Sequence, residues 1–400
     1  MDFNVTGEVE DYQRRIRDFV DTHIIPVESI PKAYDEGENI AEEYLVPLRQ
    51  KARAEGLWCL QMPKALGGGG LSAVGMAACY EEMGRSIFGP VVFNSAAPDD
   101  GNMIVLERVG TPQQKERWLQ PIIDGSVRSA LAMTEPAPGS GSDPLGMMLT
   151  KAEKKANKWV VNGHKWFITG AGVAQHFILL ARTSDHPRKG LTAFLFDRDD
   201  PGWELVRRVP IMGPEEHGGH CELKFHGLEI PDENRLLEVG DGMKVVQMRL
   251  GTARLTHCMR WLGLCRRALE IASEYARDRK AFGQNLVDHE GVQWMLGEAA
   301  AQVHLGRLLT MHAAWKLAQG DFARKEVSIA KVMVADTLHH VVDTAIQMLG
   351  AKGYSKDTVL EWMYRYQRQS RLVDGASEVH KMVLAKYYLR EGDDFFRWGV

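Results

Sequence analysis

The chain has 400 residues, of which 44% are hydrophobic and 26% charged, a composition ordinary for a globular protein of two or three packed units. The formal net charge of −4 gives no sign of a polyanion partner, because duplex DNA binders normally carry a basic patch. No apolar run reaches bilayer-spanning length, and the acidic start lacks the features of a secretory signal or a transit peptide. We therefore expect a cytoplasmic protein without nucleic-acid or membrane partners.

Residues 1–128 are predicted to form an N-terminal helical domain. Residues 9–24 and 42–56 have the apolar spacing of helices, and the four glycines at 67–70 mark a loop between helices. A phosphate-binding loop would need a preceding strand and a following Gly-Lys-Ser/Thr, so a flexible connector is preferred for the glycines.

Residues 129–240 are predicted to form a central antiparallel β-barrel or sandwich. Apolar runs on both sides of Asn162-Gly163 predict a hairpin that turns at this pair. Further strands are predicted at 177–181, 191–196 and 222–230, the last of them broken by Gly227. Since helices and strands do not alternate along the chain, a Rossmann nucleotide-binding domain is not expected.

Residues 241–400 are predicted to form a C-terminal four-helix bundle. All 16 prolines lie at or before Pro231, and proline breaks helix interiors. Two stripes have helical spacing: Leu262, Cys265, Leu269 and Ala272, and then Ala330, Met333, Thr337, Val341, Ala345 and Met348. The fold class is thus α+β and mostly α.

Cysteine and histidine give no metal site. The five cysteines are scattered without CxxC spacing, so buried reduced thiols are expected: Cys59, Cys79, Cys221, Cys258 and Cys265. His217 and His220 lack a third ligand at suitable spacing, and a loop or substrate-lining role is preferred for them.

Four motifs follow one another along the chain. They are Ala-Met-Thr-Glu-Pro at 132–136 with Gly-Ser-Asp at 141–143, Tyr-Ala-Arg-Asp-Arg-Lys-Ala-Phe-Gly at 275–283, Gln-Met-Leu-Gly-Ala-Lys-Gly-Tyr at 347–354, and Asp-Gly-Ala-Ser-Glu-Val-His at 374–380. In this order they resemble the signatures of the acyl-CoA dehydrogenase family. The segments 93–103, 217–220 and 257–260 resemble a subgroup that acts on long or branched acyl-CoA and uses aspartate as its base.

The resemblance implies a reaction in which Asp374 removes the α-proton of an acyl-CoA thioester while the β-hydride goes to FAD, as in β-oxidation of fatty acids. The thioester oxygen would accept hydrogen bonds from a flavin ribityl hydroxyl and from the backbone amide of Asp374. Such donors contribute about 3–4 kcal/mol each to catalysis. Taken by itself, Asp374-Gly375 also fits an ordinary turn.

Substrate contacts are implied for Ser142, Arg254 and Gly375. Some family members carry the base immediately before the matching arginine, but here that position is Ala253, which leaves Asp374. Arg254 then either lies near the Asp374 carboxylate or forms a helix-surface ion pair, and the sequence leaves both open.

Flavin contacts are implied for Met133, Thr134, Ser142, Phe167, Thr169, Arg279, Phe282, Gln347, Gly350, Ala376 and Glu378. The spacing alone would make Phe167 a core residue of its hairpin. The loop after Pro136 is about two residues longer than usual in the family, so either Ser140 or Ser142 fills the signature serine role. Ala376 and Glu378 stand where the family more often has Thr and Gln.

Partners also follow from the resemblance. Arg279 matches an arginine that binds the flavin pyrophosphate across a subunit boundary, so we expect a homo-oligomer, either a dimer or a tetramer. An electron-transfer flavoprotein would accept the electrons. The alternatives are a flavin oxidase of the same fold, such as a nitroalkane oxidase, and a flavin-bearing binding module.

Overall fold

A computed structural model describes residues 5–397, and its first part is helical as predicted. Helices α1–α4 span Gly7–Phe19, Glu42–Ala54, Ala73–Met83 and Asp99–Val109, with one-turn helices at Gly89–Val92, Pro112–Gln114 and Gln120–Ile123. A π-helix at Val20–Ile24 continues α1, so the predicted helix at 9–24 is confirmed. The four glycines at 67–70 form the predicted loop.

The middle of the chain forms one twisted sheet. Strands β1–β8 span Arg128–Ala132, Lys151–Lys155, Lys158–Thr169, Ala174–Arg182, Leu191–Asp197, Trp203–Arg208, His220–Pro231 and Arg235–Leu236, with a one-turn helix at Pro144–Met147. The strand order is β6-β7-β3-β2-β4-β5-β8, and β1 pairs with β4. The predicted antiparallel barrel or sandwich is wrong in two respects. The sheet does not close into a barrel, because β6 and β8 are edge strands within residues 5–397, and it is not wholly antiparallel, because β4 pairs in parallel with β1 and β2.

The predicted hairpin at Asn162-Gly163 is also wrong. β3 runs through this pair, and the turn lies earlier, at Ala156-Asn157, where β2 and β3 are joined. Glycine is needed at position 163 for a reason other than a turn. A Cβ on Gly163 would lie 2.6 Å from the Cα of Thr150, so a side chain would collide with that backbone. Gly227 lies inside β7 with a φ of 82°, and the strand continues past it.

The last part consists of long helices. Helices α5–α9 span Gly242–Asp278, Glu290–Ala318, Arg324–Leu349, Leu360–Gln367 and Ser377–Glu391, with a one-turn helix at Ala351–Tyr354 and a small hairpin of Lys280–Ala281 and Gln284–Asn285. α5, α6 and α7 pack against one another, and α9 packs against α7. The two predicted stripes lie on α5 and α7 and are largely buried, although Met333 is 47% exposed. A regular four-helix bundle stays a prediction.

Two apolar cores meet at the sheet. Along β4, Ile178 and Leu180 belong to the core shared with the helices, whereas Phe177 and Leu179 belong to a second core on the opposite face. This alternation follows from the two-residue period of a strand. The helices therefore pack on one face of the sheet.

Two smaller predictions can be checked directly. All five cysteines are free and buried, as predicted. Within residues 5–397, none of the helices is both long and apolar enough to cross a membrane.

Candidate active site

A cavity of about 980 Å³ lies between the sheet and the helices α5, α7 and α9. Eight of the predicted site residues line it: Met133, Thr134, Ser142, Phe167, Thr169, Arg254, Asp374 and Gly375. Segments far apart in the sequence thus share one cavity, whose size is at the upper end for ligand pockets.

Asp374 lies in the turn between α8 and α9. Its φ is 51°, a left-handed conformation that aspartate tolerates better than most residues. Gly375 follows with a φ of 103°, and a Cβ at this position would lie 3.0 Å from His380 Nε2. The turn interpretation is therefore correct for the backbone, and the side chain of Asp374 nevertheless lines the cavity.

Three residues of α5 contact Asp374, whose side chain is 17% exposed. Arg249 Nη1 lies 3.4 Å from Oδ1, and His257 Nε2 lies 3.3 Å from Oδ2. Oδ2 is buried and accepts no well-aligned hydrogen bond, so the contact with His257 is close but imperfectly directed. Arg254 Nε donates to the backbone carbonyl of Asp374 at 2.7 Å.

These contacts determine the ionisation of Asp374. Burial by itself raises the pKa of this carboxyl group, but the charge of Arg249, the hydrogen bond from His257 and the charge of Arg254 outweigh burial and hold the pKa well below its usual range. Asp374 is therefore a carboxylate, the form that a general base needs at rest.

The sheet wall of the cavity is anchored by a buried ion pair. Lys165 Nζ lies 2.9 Å from Glu135 Oε1, and both side chains are nearly inaccessible to solvent. Lys165 Nζ also donates to the carbonyl of Met133 at 2.9 Å, and the amide of Trp166 donates to the carbonyl of Thr134 at the same distance. The backbone at Met133 and Thr134 is thereby fixed against β3.

Phe167 and Thr169 stand at the end of β3, where the register shifts. Phe167 has a φ of 56° and is 40% exposed, so the alternative that it is a core residue is wrong. Its ring lies 5.5 Å from the ring of His220, and Thr169 Oγ1 lies 3.0 Å from His220 Nδ1. Backbone strain combined with an exposed aromatic ring is typical of a ligand-contacting position.

The two candidate serines have different surroundings. Ser140 Oγ accepts from the amides of Ser142 at 3.1 Å and Asp143 at 3.2 Å, which stabilises the loop. Ser142 lines the cavity. The structure thus brings Ser142 to the cavity and gives Ser140 a role in the loop.

The chain is similar to known proteins along most of its length. Three family models match: the N-terminal, middle and C-terminal domains of acyl-CoA dehydrogenase, over residues 6–126, 130–228 and 240–389. A probable acyl-CoA dehydrogenase of Mycobacterium tuberculosis is 35% identical, with 99% of both chains covered. The structure of a putative acyl-CoA dehydrogenase from Mycobacterium abscessus superposes with a TM-score of 0.89 at 36% identity, covering 97% of this chain and 99% of the other.

The chain belongs to the acyl-CoA dehydrogenase family. Acyl-CoA dehydrogenase family member 11 of Gallus gallus is 37% identical over 96% of this chain. The chain spans about half of that relative's length (52%), as it does for the other vertebrate proteins of this name that it matches.

The remaining family positions lie outside the cavity. Arg279 and Phe282 follow α5, and Phe282 has a φ of 52° and is 97% exposed. Gln347 and Gly350 are exposed at the end of α7, and Glu378 is exposed in the first turn of α9. Ala376, just before α9, is partly buried. The structure does not bring these positions into the cavity that holds Asp374.

Sequence reasoning missed two neighbours of Asp374. Arg249 had no assigned role, and His257 was noted only as part of a resembling segment. Arg254 does lie near the carboxylate, as one of the two alternatives expected: its Nε donates to the backbone carbonyl of Asp374, and its charge helps to lower the pKa of the carboxyl group, while Arg249 and His257 lie next to the carboxylate oxygens. A signal did exist: Arg249, Ala253 and His257 recur every four residues, so they share one face of α5.

Proposed function

We propose that the chain is an FAD-dependent acyl-CoA dehydrogenase of the subgroup that uses aspartate and acts on long or branched acyl-CoA. One observation carries this proposal: an ionised carboxylate, Asp374, is held by charges in a cavity that the family's flavin-side residues also line. The family membership of the chain supports the reaction type.

The sheet wall of the cavity fits a flavin. Phe167 lines this wall and offers a ring that is 40% exposed. The volume of about 980 Å³ has room for a flat ring system together with an acyl chain. When bound, FAD would supply the acceptor for the hydride of the β-carbon.

Asp374 would remove the proton from the α-carbon. An acyl thioester that covers the carboxylate excludes water, which raises the pKa of Asp374 toward the working pH and makes the group more basic. By resemblance, the Asp374 amide would donate to the thioester oxygen, where negative charge develops as the proton leaves. Arg254 supports this donor, because it holds the peptide carbonyl of the same residue.

Partners of the chain belong to the same proposal. The exposed positions Arg279, Phe282, Gln347 and Gly350 would contact the adenylate half of FAD bound mainly by a neighbouring subunit, so a homo-oligomer is required to complete each site. An electron-transfer flavoprotein would reoxidise the flavin, and the protein would act in the cytoplasm.

The test is anaerobic mixing of the FAD-loaded protein with a panel of acyl-CoA thioesters that differ in length and branching. We expect the visible absorbance of the flavin to fall with a subset of the panel. If no thioester bleaches the flavin, the proposal is wrong. Release of hydrogen peroxide in air with a nitroalkane would instead favour the oxidase alternative.

A further inference from the structure

His257 is a buried histidine on α5 beside the carboxylate of Asp374, and its role depends on the function proposed above. The residue is 7% exposed, and its Nε2 lies 3.3 Å from Asp374 Oδ2. The ring stacks on Trp261, with ring centroids 5.1 Å apart and planes at 22°. This stack keeps the plane of the imidazole directed toward the base.

The other ring nitrogen shows where the proton sits. His257 Nδ1 lies 3.3 Å from Arg260 Nη2. A guanidinium can only donate hydrogen bonds, so Nδ1 must be the accepting nitrogen. Arg260 is itself fixed, because its Nη1 lies 2.6 Å from both Asp100 Oδ2 and the carbonyl of Ser95. In the neutral ring the proton is therefore on Nε2, the nitrogen that faces Asp374.

We propose that His257 is a positioning residue, whose Nε2–H holds the catalytic carboxylate of Asp374 in place for the acyl thioester. Asp100 and Arg260 determine which nitrogen of His257 carries the proton. In the reaction, the α-proton passes to the carboxylate of Asp374 and its bonding electrons stay with the substrate, so His257 gains and loses no proton. The long contact of 3.3 Å is compatible with this role, because catalytic hydrogen bonds often tighten only in the complex.

Charged and titratable groups face Asp374 from three helices. They are Arg249, Arg254 and His257 on α5, Lys331 on α7 and His380 on α9. Burial lowers the pKa of Lys331 to about 8 and that of His380 to about 4. On the other side, His257 borders a small cavity of about 40 Å³ that Glu216, His217 and Tyr366 also line.

The expected pH dependence follows from the sign of the shift. Burial raises the pKa of Asp374, but Arg249, His257 and Arg254 together lower it. Because the ionised form is the active one, the rate of flavin reduction at low acyl-CoA concentration, which reports the free protein, falls only in strongly acidic solution. Loss of the His257 donor raises the pKa of Asp374 and moves this acid limb to higher pH.

The test compares three variants of the FAD-loaded protein: His257→Gln, His257→Asn and His257→Leu. Glutamine places an amide N–H near the position of Nε2, whereas asparagine places it near that of Nδ1. With an acyl-CoA that bleaches the wild type, we measure the rate of flavin reduction and the substrate affinity against pH. We expect the Leu and Asn variants to be about tenfold slower, with the acid limb about one pH unit higher and affinity unchanged. The Gln variant should resemble the wild type.

His176→Leu is the matched control, because His176 lies 2.7 Å from the carboxylate of Asp197 outside the cavity. This variant should keep the wild-type rate and acid limb. Equal behaviour of the Gln and Asn variants, or a wild-type profile for the Leu variant, overturns the role of His257. If the Leu variant does not fold, the difference between Gln and Asn decides. A wild type that no acyl-CoA bleaches refutes the proposed function, and this inference with it.

Discussion

Two regions that carry family motifs are built in opposite ways. Around Asp374 and Lys165, side chains are held inside the chain by ion pairs and hydrogen bonds. At the far end of α5, Arg279 is exposed and Phe282 is 97% exposed. In our proposal the exposed positions contact FAD of a neighbouring subunit, whereas the buried side chains have their partners in the same chain. A single chain therefore holds the chemistry of the proposed reaction but only part of the expected cofactor site.

The largest effect is expected in the buried region. Asp374→Asn keeps the shape of the side chain but cannot accept the α-proton, so flavin reduction by acyl-CoA should slow by about 10²–10⁴-fold. The FAD content should stay normal, since the change is on the substrate side. Stopped-flow absorbance measures the rate, and Asp357→Asn at an exposed position is the control. Full-speed reduction in the Asp374 variant would show that the base lies elsewhere.

The ion pair behind the sheet wall offers a test by stability. Lys165→Met leaves Glu135 buried and unpaired, which should lower the free energy of unfolding by about 3–5 kcal/mol. Lys158→Met breaks an exposed pair with Glu229 and should cost less than about 1 kcal/mol. Denaturant titration measures both changes. A second substitution, Glu135→Leu, should restore much of the lost stability, and a neutral effect of Lys165→Met alone would contradict the anchoring role.

The exposed region should respond in cofactor affinity and not in folding. Arg279→Ala removes a charge-assisted hydrogen bond to phosphate, so FAD should bind about tenfold more weakly or worse. Thermal unfolding of the FAD-free variant should match that of the FAD-free wild type. Lys280→Ala, at the neighbouring exposed position, is the control. A variant that purifies with full FAD would place the pyrophosphate contact elsewhere.

The smallest effect is expected for Phe282→Ala. Since the side chain is almost fully exposed, the free energy of unfolding should change by less than about 0.5 kcal/mol. If the ring packs against FAD of a neighbouring subunit, FAD affinity should fall by a few fold. Fluorescence titration with FAD measures the affinity, and an unchanged value would mean that Phe282 is outside the cofactor site.

The sequence was most informative where one local pattern determines one element. The stripes on α5 and α7 and the strands at 177–181 and 191–196 are present as predicted. The hairpin prediction at Asn162-Gly163 was wrong because the pair also fits within a strand. There the nearby backbone of Thr150 leaves room only for glycine at position 163. The antiparallel barrel failed because the order of the strands and the parallel pairing of β1 with β4 depend on contacts that no local pattern specifies.

The site shows the same limit. Asp374 could be proposed from its motif, but Arg249 is 125 residues away in the sequence and was found only when the fold brought both together. The face shared by Arg249, Ala253 and His257 was visible as a period of four, yet nothing local indicated which segment it would meet. The motif points to Asp374, and the tertiary fold brings up the charged side chains that lower the pKa of its carboxyl group.

The short side chain of Asp374 has a consequence for protein engineering. Its carboxylate already reaches Arg249 and His257, while Arg254 holds the peptide carbonyl behind it. Glutamate would extend the acid by roughly 1.5 Å, one carbon–carbon bond, into space that α5 occupies. We therefore expect Asp374→Glu to be tolerated only when residues 249 and 257 are replaced by smaller ones. The acid and the facing side chains of α5 would have to be changed together.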